Sequence, residues 1–331
     1  MESSEQRVLQ AVNASLIAGK SGWLVTIAAT HGASPRPLGS LMWLEQGGAV
    51  WGSVSGGCIE DDLLEKLQAG QLATRACQLV EYGVSPEENE RFGLPCGGRM
   101  KLLLEFLSPS KQSDIETLLK ALSERQGIRR WVDLAGSSWQ FETIDRGDDV
   151  QLTENSLRQD FGPRYQLLLI GANELARCIA EIATALEYRV LVCDPREERC
   201  QQWAVANTEI IQLMPDEAVM QFAADRYSAV ITLTHDPRID DMALMQALTH
   251  DLFYVGALGS VRTTEKRCAR LLQLGLSDAQ IARLHAPVGL SIGSKSAMEI
   301  AVAVMAELTA LRRGKAEIVW RQSESSGINQ S

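Results

Sequence analysis

Beyond residue 165 the chain alternates short apolar runs with amphipathic stretches, a pattern that few folds accommodate. Gln166 to Ile170 reads as a fully buried strand, Leu175 to Leu186 as a helix, and Arg189 to Cys193 as a second strand ending at Asp194. Strand, helix, strand in that order is a βαβ unit, because parallel neighbours need a long crossover. Ala229 to Leu233 and Leu252 to Val255 add further strands, and a last helix opens with a capping box at Ser296 and Glu299. This half predicts a doubly wound parallel sheet of the Rossmann type.

Sheets of this kind carry ligands at the carboxyl ends of their strands. The first turn reads Gly171-Ala172-Asn173-Glu174-Leu175-Ala176, which keeps the first glycine and the small last residue of a dinucleotide fingerprint but places Asn173 at the middle glycine. Asp194 stands about 20 residues on, where an acidic side chain binds a ribose. His235 and Asp236 follow a strand on the same edge, and Gly256-Ala257-Leu258-Gly259-Ser260 makes another glycine-rich turn there. One reading of this edge is an NAD(P)-dependent oxidoreductase with His235 as acid or base. Asn173 counts against it, since its side chain fills space that a pyrophosphate needs.

The first half is of a different kind. An amphipathic helix over Ser4 to Ala18 precedes strands at Trp23 to Ala29, Leu41 to Leu44 and Ala49 to Trp51. The last of these delivers the chain into Gly52-Ser53-Val54-Ser55-Gly56-Gly57-Cys58-Ile59-Glu60, and a second Cys96-Gly97-Gly98 follows later. Glycine backbones approach a ligand closely, hydroxyls such as those of Ser53 and Ser55 donate to it, and sulfur is a soft nucleophile or metal ligand. Cys58 opens a helix through Ile59, Leu63 and Leu67, so its thiol lies at the positive end while Glu60, Asp61 and Asp62 oppose that field. A buried cysteine in a tight turn is the bland alternative.

Arg36 sits between two prolines in a turn-rich loop, placed to meet an anion. Strands at Arg75 to Tyr82 and Lys101 to Leu107, an acidic loop from Ser85 to Glu90, a helix through Ile115 to Leu122, and a hairpin around Gly136-Ser137 complete an α+β unit. The expected organisation is an α+β domain over 1–150, a linker over 151–164 without sustained periodicity, the Rossmann-type domain over 165–315, and a disordered tail over 316–331.

Composition narrows the partners. A net charge of −10 with scattered basic residues argues against nucleic acid. The seven cysteines are odd in number and include no C-x-x-C pair, which disfavours a disulfide framework, a structural zinc site and a two-cysteine redox regulator. Apolar runs are too short to span a membrane and the start lacks a secretion signal, so the expected location is the cytoplasm.

In both halves the chain resembles the XdhC/CoxF family of molybdenum-cofactor maturation proteins. The likeness rests on Ser34-Pro35-Arg36-Pro37 with Gly39, Gly52 to Glu60, Leu94 to Gly98, Asp194-Pro195-Arg196, Thr234-His235-Asp236 with Asp240, Tyr254 to Ser260, and Ala286 to Gly293. It departs at the nucleotide turn, where relatives read Gly-Ala-Gly-His, and at Ser291, where they carry aspartate.

The resemblance implies a chaperone, more a transfer protein than an enzyme. It would bind molybdenum cofactor as molybdopterin or the cytosine dinucleotide form, present it to a cysteine desulfurase for sulfuration, and pass it to an apo molybdenum hydroxylase. Cys58 and Cys96 would contact molybdenum or relay sulfur. Arg36, Ser53, Ser55, Gly56, Gly57, Gly97 and Gly98 would hold the pterin, and Gly171, Asp194, Arg196, His235 and Asp236 its nucleotide end. A homodimer is expected, and a tightly bound NAD is not.

Overall fold

A computed structural model describes residues 4–315 apart from 33, 35, 73–76, 93–97, 146 and 148. Two compact units divide between Pro163 and Arg164.

The first unit opens with α1 (Ser4–Ile17), whose Val8, Leu9, Val12 and Leu16 recur on one face and are buried. Then come β1 (Gly22–His31), β2 (Leu41–Glu45), β3 (Val50–Gly52), α2 (Cys58–Gln68), β4 (Cys77–Tyr82), α3 (Pro86–Phe92) and β5 (Arg99–Leu107). The strands form an antiparallel sheet in the order β3-β2-β1-β5-β4. Both of its faces are covered, so β1 reads as a continuous apolar run: Leu24 and Ala28 join the core under α1, Val25 and Ile27 the core under α2.

A four-stranded antiparallel sheet follows α4 (Gln112–Ser123). It contains β6 (Gly127–Asp133), β7 (Trp139–Ile144), β8 (Val150–Leu152) and β9 (Ser156–Phe161), ordered β7-β6-β9-β8. Its Ile128, Val132, Leu157 and Phe161 pack into the core that includes α1.

Two expectations are corrected here. The segment 151–164 is no linker, because β9 pairs with β6 along its length. Inward polar residues hide its period: Gln159 accepts from Arg130 Nη2 at 2.7 Å, and Asp160 is gripped by Arg129 at 2.7 and 3.0 Å. The acidic loop from Ser85 to Glu90 is mostly helical, since α3 opens on Pro86 with Glu87 and Glu88 in its first turn, residues that suit a helix start.

The second unit is a parallel sheet. Its elements are β10 (Gln166–Ile170), α5 (Glu174–Ala185), β11 (Arg189–Cys193), α6 (Glu197–Gln201), β12 (Thr208–Ile211), α7 (Pro215–Phe222), β13 (Ser228–Thr232), α8 (Pro237–Ala247), β14 (Tyr254–Ala257), α9 (Val261–Gln273), α10 (Asp278–Ile281), β15 (Leu284–His285) and α11 (Ala297–Arg312). The strand order β12-β11-β10-β13-β14-β15 reverses direction between β10 and β13. Residues of α5 and α11 cover one face and those of α7, α8 and α9 the other, the expected doubly wound fold. No described helix is long and apolar enough to cross a membrane. The tail over 316–331 lies outside the described residues.

Candidate functional site

The Gly52 to Glu60 stretch begins as β3 ends. Gly52 pairs with Met42 and has φ +81°, and a Cβ there would lie 2.4 Å from the Leu41 carbonyl oxygen and 2.6 Å from Val8 Cγ2. Only glycine makes this turn without moving the sheet. Val54 and Ile59 then plug into the core beneath α2, both 0% exposed, while Cys58 between them is exposed on the first turn of the helix. The bland reading of a buried thiol is excluded for Cys58.

Glu60 folds back over the loop. Its Oε1 accepts from Ser53 Oγ at 2.7 Å, the Val54 and Ser55 amides at 2.8 Å, and the Gly56 amide at 3.1 Å. Its Oε2 accepts from the Gly57 amide at 2.9 Å and from Ser55 Oγ. Burial pushes this carboxyl up, but the hydrogen bonds from Ser55, Ser53 and Gly56 outweigh it and hold the group well below the usual carboxylate range. The donors expected to grip a ligand anion thus already end on a carboxylate of the same chain. Among the described residues, chain neighbours aside, no atom lies within 4 Å of where a Cβ would sit on Gly56 or Gly57.

Arg36 is exposed on the loop that precedes β2. Since Leu41 starts β2 where Gly52 ends β3, both loops leave the sheet at the same end. The Arg36 loop is held by Gln159 Nε2, which donates to the Gly39 carbonyl at 2.9 Å, and by Ser40 Oγ, which donates to the Pro37 carbonyl at 2.8 Å.

Cys96 and Gly97 lie outside the described residues. Gly98 is buried just before β5, whose Arg99 pairs with His31 at that end of β1. Phe92 and Met100, which bracket this second stretch, share a core with Val54 and Ile59. Among the described residues no group of three or more His, Cys, Asp and Glu side chains could hold a metal ion.

The nucleotide-type turn of the second unit is closed by its own residues. Gly171 has φ +107°, and a Cβ would sit 2.7 Å from Thr234 Cγ2, so this glycine serves the approach of two strand ends. Asn173 Oδ1 caps α5 by accepting from the Ala176 amide at 2.9 Å, while its Nδ2 donates to the Leu233 carbonyl at 2.8 Å. Asp194 is fully buried. Its Oδ2 accepts from the Ala172 amide at 2.9 Å, and its Oδ1 from the Arg196 amide at 3.0 Å. Burial opposes ionisation, but the Arg196 guanidinium and these amides hold its carboxyl below the usual range.

His235 is exposed. Asp236 caps α8 and pairs with Arg238, whose hydrogen bonds bring its carboxyl down to about 2. Behind them Asp240, 1% exposed, accepts from Thr234 Oγ1 at 2.7 Å and from Arg267 Nη2 at 3.0 Å. This cluster ties together the ends of two strands, since Arg267 Nη1 also donates to the Leu258 carbonyl at 3.0 Å.

Sequence reasoning does not single out Glu60 or Gln159 as site residues. For Glu60 a signal exists, a carboxylate three residues past the helix cap, as in a capping box. For Gln159 none does.

A model described as the XdhC Rossmann domain matches residues 167–308, and one described as the XdhC and CoxI family matches residues 16–83. The chain is 28% identical over 318 residues to the molybdenum cofactor insertion chaperone PaoD of Escherichia coli (strain K12), covering 94% of this chain and 90% of that one. It is 25% identical over 315 residues to a probable xanthine dehydrogenase subunit from Bacillus subtilis (strain 168), covering 88% and 93%. A crystal structure described as a xanthine dehydrogenase from Bacillus halodurans has the same fold, with a TM-score of 0.72 at 23% identity over 95% of this chain and 97% of that one.

Proposed function

The chain belongs to the XdhC and CoxI family, and from that premise we propose that it binds molybdenum cofactor and serves its insertion into a molybdenum hydroxylase. The observation that carries this reading is Cys58, an exposed sulfur on a hydrogen-bonded loop between two buried anchors. Molybdenum accepts soft sulfur ligands. Cys58 would supply one, Cys96 a second, and Arg36 at the same sheet end would balance the phosphate of the pterin.

In this reading the chain is a transfer protein more than a turnover enzyme. It presents the cofactor to a cysteine desulfurase, which exchanges an oxo ligand for sulfido, and then passes it to the apo-hydroxylase. Any grip on a nucleotide end falls to the exposed His235 and to the outward side of the half-exposed Arg196 guanidinium, because Asn173 and Asp194 are engaged inside the turn. The reading includes a homodimer acting in the cytoplasm.

The test is to purify the full chain from a molybdenum-replete host and assay the oxidised pterin and nucleotide it releases. Near-stoichiometric pterin from the native chain, with a large loss in Cys58→Ala, is the expected result. A Cys58→Ala chain that keeps its full load and still supports sulfuration removes Cys58 from the role.

A further inference from the structure

We infer that Glu60 is the built-in anion of the Ser53 to Gly57 loop, so that this loop meets its ligand through the Cys58 sulfur and Glu60 is the positioning residue of that thiol. The inference rests on the reading of Cys58 as a cofactor contact and deepens it: the phosphate of the cofactor is recognised elsewhere.

Successive backbone N–H groups that converge on one point form a nest for an oxyanion. Here the amides of Val54, Ser55, Gly56 and Gly57 converge, but both oxygens of the Glu60 carboxylate are already at that point, with the Ser53 and Ser55 hydroxyls donating as well. Glu60 is three residues from Gly57, so its effective concentration at the nest exceeds that of any dissolved phosphate. An incoming phosphate would have to expel a carboxylate that already takes four loop amides and two hydroxyls, or lie against it at the cost of like-charge repulsion. The same carboxylate offsets the positive end of α2, which removes the other attraction the site would hold for an anion.

What the arrangement leaves outward is sulfur. Val54 and Ile59 are buried on either side, and the loop amides point inward to Glu60. Gly56 and Gly57 beside the thiol carry no side chain, and among the described residues beyond their chain neighbours nothing lies within 4 Å of where a Cβ would sit on either. A loop locked in this way holds Cys58 at a fixed place, so a bulky ligand reaches the thiol without first ordering the backbone.

The test uses the full chain free of cofactor, with two readouts: the rate of Cys58 alkylation by iodoacetamide with and without millimolar inorganic phosphate, and hydrogen exchange of the amides at residues 54–57. In the native chain, phosphate at constant ionic strength should leave the alkylation rate unchanged. Glu60→Ala should speed loop exchange by about tenfold or more and let phosphate slow alkylation saturably, because the amides become free. Glu60→Gln keeps one acceptor oxygen and should give intermediate exchange and a weaker slowing of alkylation by phosphate than Glu60→Ala.

Saturable slowing of the native chain by phosphate would overturn the inference, and so would a Glu60→Ala chain with native exchange and an alkylation rate that phosphate leaves unchanged. The native arm decides the matter even if Glu60→Ala fails to fold. A chain that releases no pterin would sink the maturation reading while leaving these readouts intact, so the two failures are distinguishable.

Discussion

Arg196 grips Asp194 with both arms of its guanidinium, Nε to Oδ1 at 2.8 Å and Nη2 to Oδ2 at 2.7 Å. With the Ala172 and Arg196 amides on the same carboxylate, no oxygen of Asp194 is left to receive a ribose hydroxyl. Titration with NAD(H) or NADP(H), followed by nicotinamide fluorescence, should therefore show no saturable binding at micromolar concentration. A dissociation constant below about 10 µM, some 7 kcal/mol of binding, would revive the oxidoreductase reading.

Arg130 is the central polar group of the first unit. It is 0% exposed, with Nη1 3.1 Å from Glu105 Oε2 and its guanidinium carbon 4.3 Å from the centre of the Trp139 ring. Burial pushes its pKa down, and Glu105 opposes that shift. Truncating it leaves the Glu105 carboxylate buried without its counter-charge. Arg130→Ala should lower stability in urea unfolding by about 3–5 kcal/mol. Arg130→Lys should restore little, since an ammonium cannot reach Glu105 and Gln159 with one planar fork. A loss below about 1 kcal/mol would show that the pair is dispensable.

Asp240 gives the second unit a dependence on pH. Burial raises its carboxyl to about 6 despite the hydrogen bonds from Thr234 and the nearby Arg267. A raised folded-state value means that the folded chain binds the proton more tightly than the unfolded one. This contribution to stability is complete below the ordinary aspartate value near 4 and is lost as pH rises through about 6. Stability measured across that window should fall more steeply in the native chain than in Asp240→Asn. Equal slopes would mean that Asp240 titrates normally.

Gly52 should tolerate no side chain. Gly52→Ala would set a methyl 2.4 Å from the Leu41 carbonyl in a backbone conformation that L-residues rarely adopt. We expect a loss of about 2 kcal/mol or more, together with a changed Cys58 alkylation rate, because the loop hangs from this turn. Gly19→Ala is the control: it has a similar φ of +76° but, among the described residues beyond its chain neighbours, no atom within 4 Å of the added methyl. It should cost less and leave the thiol unaffected.

The parallel sheet is legible in the sequence because β10 and β11 each carry an unbroken apolar run after a polar first residue, ended by Gly171 and Asp194. The start of α2 is legible too, since Ile59, Leu63 and Leu67 repeat at helical spacing and all three are buried. β9 is not, because its pattern depends on partners far along the chain: Gln159 is tolerable inside only where Arg130 meets it. By spacing alone Glu60 is one of three opposing charges, whereas its role follows from a backbone that turns four N–H groups toward one carboxylate. Asp194 looks available for a ribose because composition and spacing cannot show that Arg196, two residues away, folds back onto it.

The place of β9 between β6 and β8 bears on how the chain can be dissected. A fragment that stops at residue 150 would strip the inner strand from the four-stranded sheet and leave β6 with an unpaired edge, an invitation to aggregate. It would also cut away Gln159, the tether of the Arg36 loop. An N-terminal half meant to stand alone has to run to Pro163.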